Sequence, residues 1–355
     1  MTALLVVLVI LLFSVSLWQL NKLFILSKQG LKSDEHPGIA TDKDNKYNGY
    51  LMIAFAIFIY ALVIFTFYRW GITLLPEAAS EHGVEIDNLF LASWIVIFTV
   101  GILMQGLLHY FAFKYRGEEG KKALFYFDNS RLEFIWTIIP VIVLSGLIIY
   151  GLFTWVDVMN VSRDDDPMVV ELYAYQFGWR ARYAGEDNEL GKANVRLIEG
   201  VNQLGVDTSD PYSKDDFITD VLYLPVNKKV LIKMRSQDVL HSAYMPHFRA
   251  QMNVVPGMVT QFAFTPTITT QEMRESDRMI KKVDNINRIR ENKSLDLMAL
   301  GNEGLDSYEF DYLILCNKIC GNNHYNMQMK IVVVEEDEFN DWTAEQTRLE
   351  ESLNI

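Results

Sequence analysis

The chain has 355 residues, half of them hydrophobic, with a formal net charge of −13, six histidines and two cysteines. Two cysteines allow one disulfide at most, which excludes a disulfide-stapled secreted fold, and the lack of a Cys-x-x-Cys-His run excludes the usual attachment of c-type haem. Residues 157–355 carry 33 acidic and 21 basic side chains, the first 156 carry 12 and 11, and nearly all the long apolar runs precede residue 156. An apolar anchor followed by an acidic, water-exposed domain is the expectation.

Ala3 to Leu20 is apolar except for Ser14, Ser16 and Gln19. No basic residue precedes it and no small-x-small site follows, so it reads as a retained membrane helix rather than a cleaved signal peptide. Tyr50 to Tyr68 is a second span, Leu89 to Phe113 a third and Phe134 to Trp155 a fourth. Each approaches or exceeds the roughly 20 residues that cross a hydrocarbon core. Pro140, inside the fourth, is tolerable where neighbouring helices satisfy the freed carbonyl. Lys28, Lys32, Lys43 and Lys46 follow the first span, and Lys114, Arg116, Lys121, Lys122 and Arg131 follow the third. The connection between the second and third holds Glu77, Glu81, Glu85 and Asp87 with Arg69 alone. Basic loops stay in the cytoplasm, so the acidic domain is expected outside it, in an oxidising space.

Arg163-Asp164-Asp165-Asp166-Pro167 marks the start of that domain. Short strand-like runs follow at Met168–Tyr175, Val221–Leu224, Val230–Met234, Val259–Phe264, Phe310–Leu315 and Met329–Val334. Turn signals such as Pro225-Val226-Asn227 and Pro256-Gly257 separate them, which predicts an all-β sandwich or small barrel. A charged segment near 269–304 breaks the rhythm, and Met273, Ile280, Val283 and Ile286 at near-helical spacing predict a short amphipathic helix there.

Both cysteines fall in one loop between the last two runs: Cys316-x-x-x-Cys320-x-x-x-His324-x-x-Met327. Two thiolates, an imidazole and a thioether suit a soft or borderline metal, above all copper. A further strong ligand is needed. His241, in Asp238-Val239-Leu240-His241-Ser242, is the best candidate and His247 the competitor; His36 and His82 fall in helix connections and His109 inside a helix. Spacing alone leaves a disulfide, structural zinc with two histidines, and Met327 as plain core as alternatives.

The cysteine loop, together with Asp238-Val-Leu-His241-Ser and Val255-Pro256-Gly257-Met258, closely resembles subunit II of the haem–copper cytochrome c oxidases. The similarity runs over Leu89 to Val334 apart from the segment near 269–304, and Glu133-Phe134-Ile135-Trp136-Thr137-Ile138-Ile139-Pro140 resembles the start of that family's second helix. The resemblance implies two transmembrane helices followed by a cupredoxin-like Greek-key sandwich, and the four apolar runs depart from it by an added pair: 1–70 is the extra helix pair, 71–157 the family's helix hairpin, and 158–355 an extracytoplasmic domain holding a dinuclear copper (CuA) centre. It implies that Cys316 and Cys320 bridge two coppers, that His241 and His324 are terminal ligands on opposite metals, and that Met327 and the Lys318 carbonyl are weak ligands. It places haem and CuB on subunit I, names subunits I and III and a cytochrome c or haem-c donor as partners, and leaves room for a respiratory supercomplex. The bacterial inner membrane, with the copper domain periplasmic, is the implied location.

Tyr173 to Tyr183 is unusually aromatic and by itself reads as an amphipathic strand. The resemblance makes it the patch where electrons enter, with Phe177 at a position often held by tryptophan, Trp179 matching a family tryptophan and Tyr175 beside them. It also sets Glu133 at the mouth of a proton-uptake channel. One departure concerns magnesium. The family commonly has glutamate where Lys318 stands, and its carboxylate helps hold a magnesium ion at the subunit interface; an altered or absent magnesium site is expected here.

Overall fold

The structure is a computed structural model and describes residues 2–28, 41–159 and 166–353. Lys32, His36 and the Arg163–Asp165 part of the charged boundary lie outside the described residues. The chain forms two compact units, one of residues 1–69 with 100–127 and one of residues 70–99 with 128–355.

Four long helices open the chain: α1 (Thr2–Lys28), α2 (Asp42–Trp70), α3 (Glu81–Lys114) and α4 (Ser130–Met159). Among the described residues, α2, α3 and α4 are long and apolar enough to cross a membrane, whereas the apolar stretch of α1 is shorter, Val9–Phe24. All three exceed the sequence expectation at both ends, because a helix continues into the polar interface after its apolar run stops. In the first unit α2 packs on the second half of α3. Tyr60 Oη donates to the Ile102 carbonyl at 2.8 Å, and the Tyr50 and Phe113 rings lie 5.2 Å apart. His109 is a packing residue there, 5.9 Å from the Phe55 ring, with Nδ1 donating to Gln105 O at 2.7 Å.

The second unit contains a β-sandwich of two five-stranded sheets. Its strands are β1 (Met168–Tyr175), β2 (Gly178–Tyr183), β3 (Phe217–Thr219), β4 (Leu222–Pro225), β5 (Val230–Ser236), β6 (His241–Met245), β7 (Ala250–Val254), β8 (Thr260–Phe264), β9 (Tyr312–Cys316) and β10 (Gln328–Val334). One sheet runs β3-β2-β1-β5-β8 and the other β4-β10-β9-β6-β7. The core lies between them, with Val170, Leu172 and Ala174 of β1, Ile232 and Met234 of β5, and Ile314 and Ile331 of β9 and β10.

The aromatic stretch Tyr173–Tyr183 is not one strand. It is the β1–β2 hairpin, with Tyr175 paired to Gly178 and Gln176-Phe177 at the turn. β1 is buried on both faces, which is why apolar residues occupy both of them, with Glu171 the one charged exception. Its second face is covered by Leu204, Val206 and Leu349 around Tyr173, and by a buried ion cluster. Arg182 of β2 donates to Glu171 Oε2 at 2.7 Å, to Asp216 Oδ2 at 2.8 Å and to the Gly191 carbonyl at 2.9 Å, and Arg235 of β5 donates to Glu171 Oε1. Burial opposes ionisation of Glu171, but Arg182 and Arg235 outweigh it and hold the carboxyl below its ordinary value.

The charged segment forms α5 (Thr270–Glu275) and α6 (Asp277–Ala299). Thr269 and Glu272 make a capping box on α5, and Ser276 caps α6 through Met279 N. The inward stripe of α6 runs through Met279, Val283 and Ser294, while Ile280 is 45% exposed and points away. The extended return strip satisfies that stripe: Asn287 Oδ1 accepts from Tyr308 N at 2.7 Å and Arg290 Nε donates to Asp306 O at 2.7 Å. Two short helices, α7 (Glu336–Ala344) and α8 (Leu349–Leu353), end the chain.

The segment leading into α3 is stitched to the sandwich. Ala79 N donates to His247 O at 2.8 Å, Thr267 N to Ala79 O at 2.9 Å, and Arg249 forks onto Asp87 at 2.8 Å. His82 opens α3 with its ring 5.4 Å from Phe262, so it is a packing residue of the domain rather than part of a loose connection.

Candidate metal centre

The loop between β9 and β10 is closed at its base by Cys316 N donating to Met327 O at 3.0 Å, which continues the β9–β10 ladder. β9 also pairs with β6, Cys316 lying opposite Ala243, and Asn317 N donates to Ser242 O at 2.9 Å. This pairing brings His241, the first residue of β6, to the cysteines. It is a strand start that none of the strand-like runs in the sequence marks.

The soft donors form two overlapping sets. Cys316 Sγ lies 3.9 Å from His241 Nδ1 and 3.2 Å from the Lys318 carbonyl oxygen. Cys320 Sγ lies 3.7 Å from His324 Nδ1 and 3.7 Å from Met327 Sδ. The two sulfurs are 3.9 Å apart. Tetrahedral zinc- or copper-like bonds of about 2.0 Å to nitrogen and 2.3 Å to sulfur place neighbouring donors roughly 3.5–3.8 Å apart. The donor atoms of His241, Cys316 and Cys320 all lie within 4.8 Å of one another, a cluster that could hold a metal ion and is compatible with copper. A single four-coordinate ion leaves part of this six-donor set unused.

Burial, with Cys316 beside it, pushes the Cys320 thiol up to about 11, so metal uptake must displace a proton. Asp238 holds His241. Its Oδ1 accepts from Nε2–H at 2.8 Å, which leaves the Nδ1 lone pair facing Cys316. Asp238 also accepts from Gln176 N at 2.7 Å and so ties the hairpin turn to the same ligand. In the sequence Asp238 stands out only as the first residue of the motif that holds His241. Its spacing of three before a candidate ligand histidine is the signal that was available.

Gln176 and Phe177 cover the loop. Gln176 Nε2 donates to the Cys320 carbonyl, and Phe177 packs on Gly321. A Cβ on Gly321, whose φ is +145°, would lie 2.8 Å from Phe177 Cζ, so only glycine fits. Gly321→Val is expected to lower stability by about 1–3 kcal/mol through strain and displacement of Phe177; an unchanged thermal midpoint of the full chain would contradict this packing. Trp179 is 3% exposed with its ring 6.1 Å from that of His241, while Phe177 and Tyr175 are half-buried.

His247 is not at the site. It is buried against Phe310 and Tyr312, at ring distances of 5.2 and 5.3 Å, and donates from Nδ1 to Glu77 O at 3.1 Å. The cysteines are free thiols, as a metal site requires. Glu133 sits exposed in the first turn of α4, after Asn129, whose Oδ1 accepts from Arg131 N and Leu132 N at 3.1 Å.

Membrane helices and a β-sandwich with a cysteine–histidine cluster define a membrane-anchored protein with an extramembrane domain suited to a soft metal. Residues 67–153 match the family described as cytochrome C oxidase subunit II, transmembrane domain, and residues 181–273 match its periplasmic domain. The alternative cytochrome c oxidase subunit 2 of Bradyrhizobium diazoefficiens is 29% identical over 272 residues, covering 76% of this chain and 82% of the relative. Cytochrome c oxidase subunit 2 of Cereibacter sphaeroides is 23% identical over 290 residues, covering 78% and 81%. Among solved structures, the periplasmic domain of subunit II of cytochrome oxidase of Bradyrhizobium japonicum matches at 20% identity and TM-score 0.28, over 50% of this chain and 91% of that one. The chain belongs to the cytochrome c oxidase subunit II family. It is thus a subunit of a haem–copper oxidase.

Proposed function

We propose that this chain is the copper-bearing subunit II of a bacterial cytochrome c oxidase, with a dinuclear CuA centre held by His241, Cys316, the Lys318 carbonyl, Cys320, His324 and Met327. When bound, the copper pair supplies one-electron transfer from a cytochrome c to haem in subunit I, where oxygen is reduced to water and protons are pumped. The observation that carries this reading is the pair of donor sets, one on each cysteine, whose sulfurs lie 3.9 Å apart. Cys316 and Cys320 would hold the copper as thiolates, and soft sulfur suits the cuprous state. Asp238 fixes the His241 tautomer, and Gln176 pins the Cys320 carbonyl, so few atoms need move when the charge of the site changes.

Phe177 is the favoured point of electron uptake, because it lies between solvent and the Cys320–Gly321 backbone, whereas Trp179 is buried behind His241. α1 is a fourth span joining α2 as an extra helix pair, and these two helices are available to dock a further respiratory complex. The basic connections lie in the cytoplasm and the copper domain on the periplasmic side of the inner membrane. Glu133, at the cytoplasmic start of α4, marks proton uptake into subunit I, and subunit III completes the assembly.

Metal analysis of the purified oxidase tests the assignment. Two coppers per subunit II and a delocalised mixed-valence spectrum are expected, with both lost in Cys320→Ser. One copper, zinc or no metal would sink it.

A further inference from the structure

The charged excursion between β8 and β9 supplies none of the metal donors, and its second helix, α6, starts at the membrane end of the domain. Arg249 fixes that level by forking onto Asp87 at 2.8 Å, and Asp87 lies two residues before Leu89, where the apolar run of α3 begins. At a rise of about 1.5 Å per residue, the fork stands within one helical turn of the hydrocarbon edge. Arg249 also donates to Pro76 O at 2.7 Å, and Arg278, in the first turn of α6, donates to Leu75 O. Both carbonyls belong to the short connection between α2 and α3, two helices long and apolar enough to cross a membrane. The positive fields of Lys282, Arg249 and Arg278 converge on His247, whose Nδ1 donates to Glu77 O in the same connection.

α6 carries six basic and four acidic residues, within a domain of 33 acidic and 21 basic ones. Its charges are sorted by face. At about 100° per residue, Arg278, Lys281, Lys282, Arg288 and Lys293 share one side, with Ile289 among them. No carboxylate interrupts that side before Asp296, and Asp277, Asp284 and Glu291 form a separate row. The five cations are exposed, and Ile289 is 58% exposed. Among the described residues neither Lys281 nor Lys282 makes an ion pair.

We propose that the first turns of α6 form a cationic foot that binds the headgroups of anionic phospholipids in the leaflet beneath the domain. Charge and position together favour this occupant. The α2–α3 connection and the start of α3 expose Glu77, Glu81 and Glu85 at the same level, so an anionic bilayer surface repels this stem unless cations stand between them. Arg278, Lys281 and Lys282 supply those cations. Ile289 adds to the same side the apolar contact usual for a helix lying in an interface. The inference goes beyond the copper reading; it rests on the membrane spans and the placement of α6, and not on the metal.

Amine labelling of the intact oxidase in lipid nanodiscs tests this. An uncharged succinimidyl ester is applied to nanodiscs of phosphatidylcholine alone and of phosphatidylcholine mixed with phosphatidylglycerol. Each lysine is then read by peptide mass spectrometry against a free lysine peptide in the same reaction. Lys281 and Lys282 are expected to label about three-fold or more slowly when phosphatidylglycerol is present, and the difference should vanish at about 0.5 M salt, where surface charges are screened. Equal rates in the two lipids overturn the proposal. Fast labelling in both places the helix in water, and slow labelling in both places it under a neighbouring subunit. Copper content does not enter this readout, so its failure leaves the copper assignment standing, and loss of that assignment leaves the lipid contact to be judged by the labelling alone.

Discussion

Arg182→Met is expected to destabilise the β-sandwich by about 3–5 kcal/mol, the usual effect of removing one partner from a buried ion pair. Arg182 and Glu171 side chains are 3% and 4% exposed and that of Asp216 is fully buried, so water cannot replace the lost guanidinium. Glu171 keeps Arg235, but Asp216 keeps only the Gly191 N–H at 3.1 Å. Burial already pushes the Asp216 carboxyl up to about 7, against the pull of Arg182 and Gly191, and without Arg182 it rises further. The cluster matters beyond stability, because Glu171 and Arg182 clamp the two strands of the hairpin that carries Gln176 and Phe177 over the cysteine loop. At 2–4 °C per kcal/mol, the thermal midpoint of the full chain should fall by roughly 10 °C. Lys228→Met serves as the contrast: it breaks an exposed 3.6 Å pair with Glu336 and should cost less than about 1 kcal/mol. Equal midpoints for the two variants would show that the cluster is dispensable.

Lowering the pH is expected to weaken the domain through His247. Burial pushes its imidazole down to about 4; the bond to Glu77 opposes this, and Lys282, Arg249 and Arg278 add repulsion. In the unfolded chain the ring takes a proton near 6.5, in the folded chain only near 4, so between these values the unfolded state holds more protons. The His247 contribution is therefore complete above pH 6.5 and is lost as pH falls through 4, to a total of about 3 kcal/mol. Asp216 acts in the opposite sense over an overlapping range, since its folded value is raised. The His247 term is thus read as the pH dependence of the stability difference between wild type and His247→Gln, measured by urea unfolding. A difference independent of pH from 7 to 4 would show that His247 charges freely in the folded domain.

The elements that were legible in the chain are those with local causes. Long apolar runs without charge marked α2, α3 and α4, and six strands appeared as apolar or alternating runs between turn residues. β2, β3, β6 and β7 were missed. β2 was merged with β1, because two aromatic strands joined by a two-residue turn without glycine or asparagine look continuous. β6 and β7 carry Ser242, Gln251 and Asn253, which blur the apolar pattern at an edge facing out. Ile280 was placed on the inward face of the excursion because its spacing from Val283 fits, but the return strip covers the side of Met279 instead.

By itself, the sequence determined the cysteine loop. Cys316, Cys320, His324 and Met327 lie within one short connection, and their spacing limits which donors can meet. The tertiary structure decided the rest. His241 stands 75 residues from Cys316 and reaches it only because β6 pairs with β9, while His247, its competitor in one dimension, is carried into an aromatic pocket. Asp238 arrives with His241 as its near neighbour in sequence, whereas Gln176 and Phe177 join the site for the same reason as His241: hydrogen-bond register between strands distant in sequence is a cooperative property of the packed sandwich, and no local pattern encodes it.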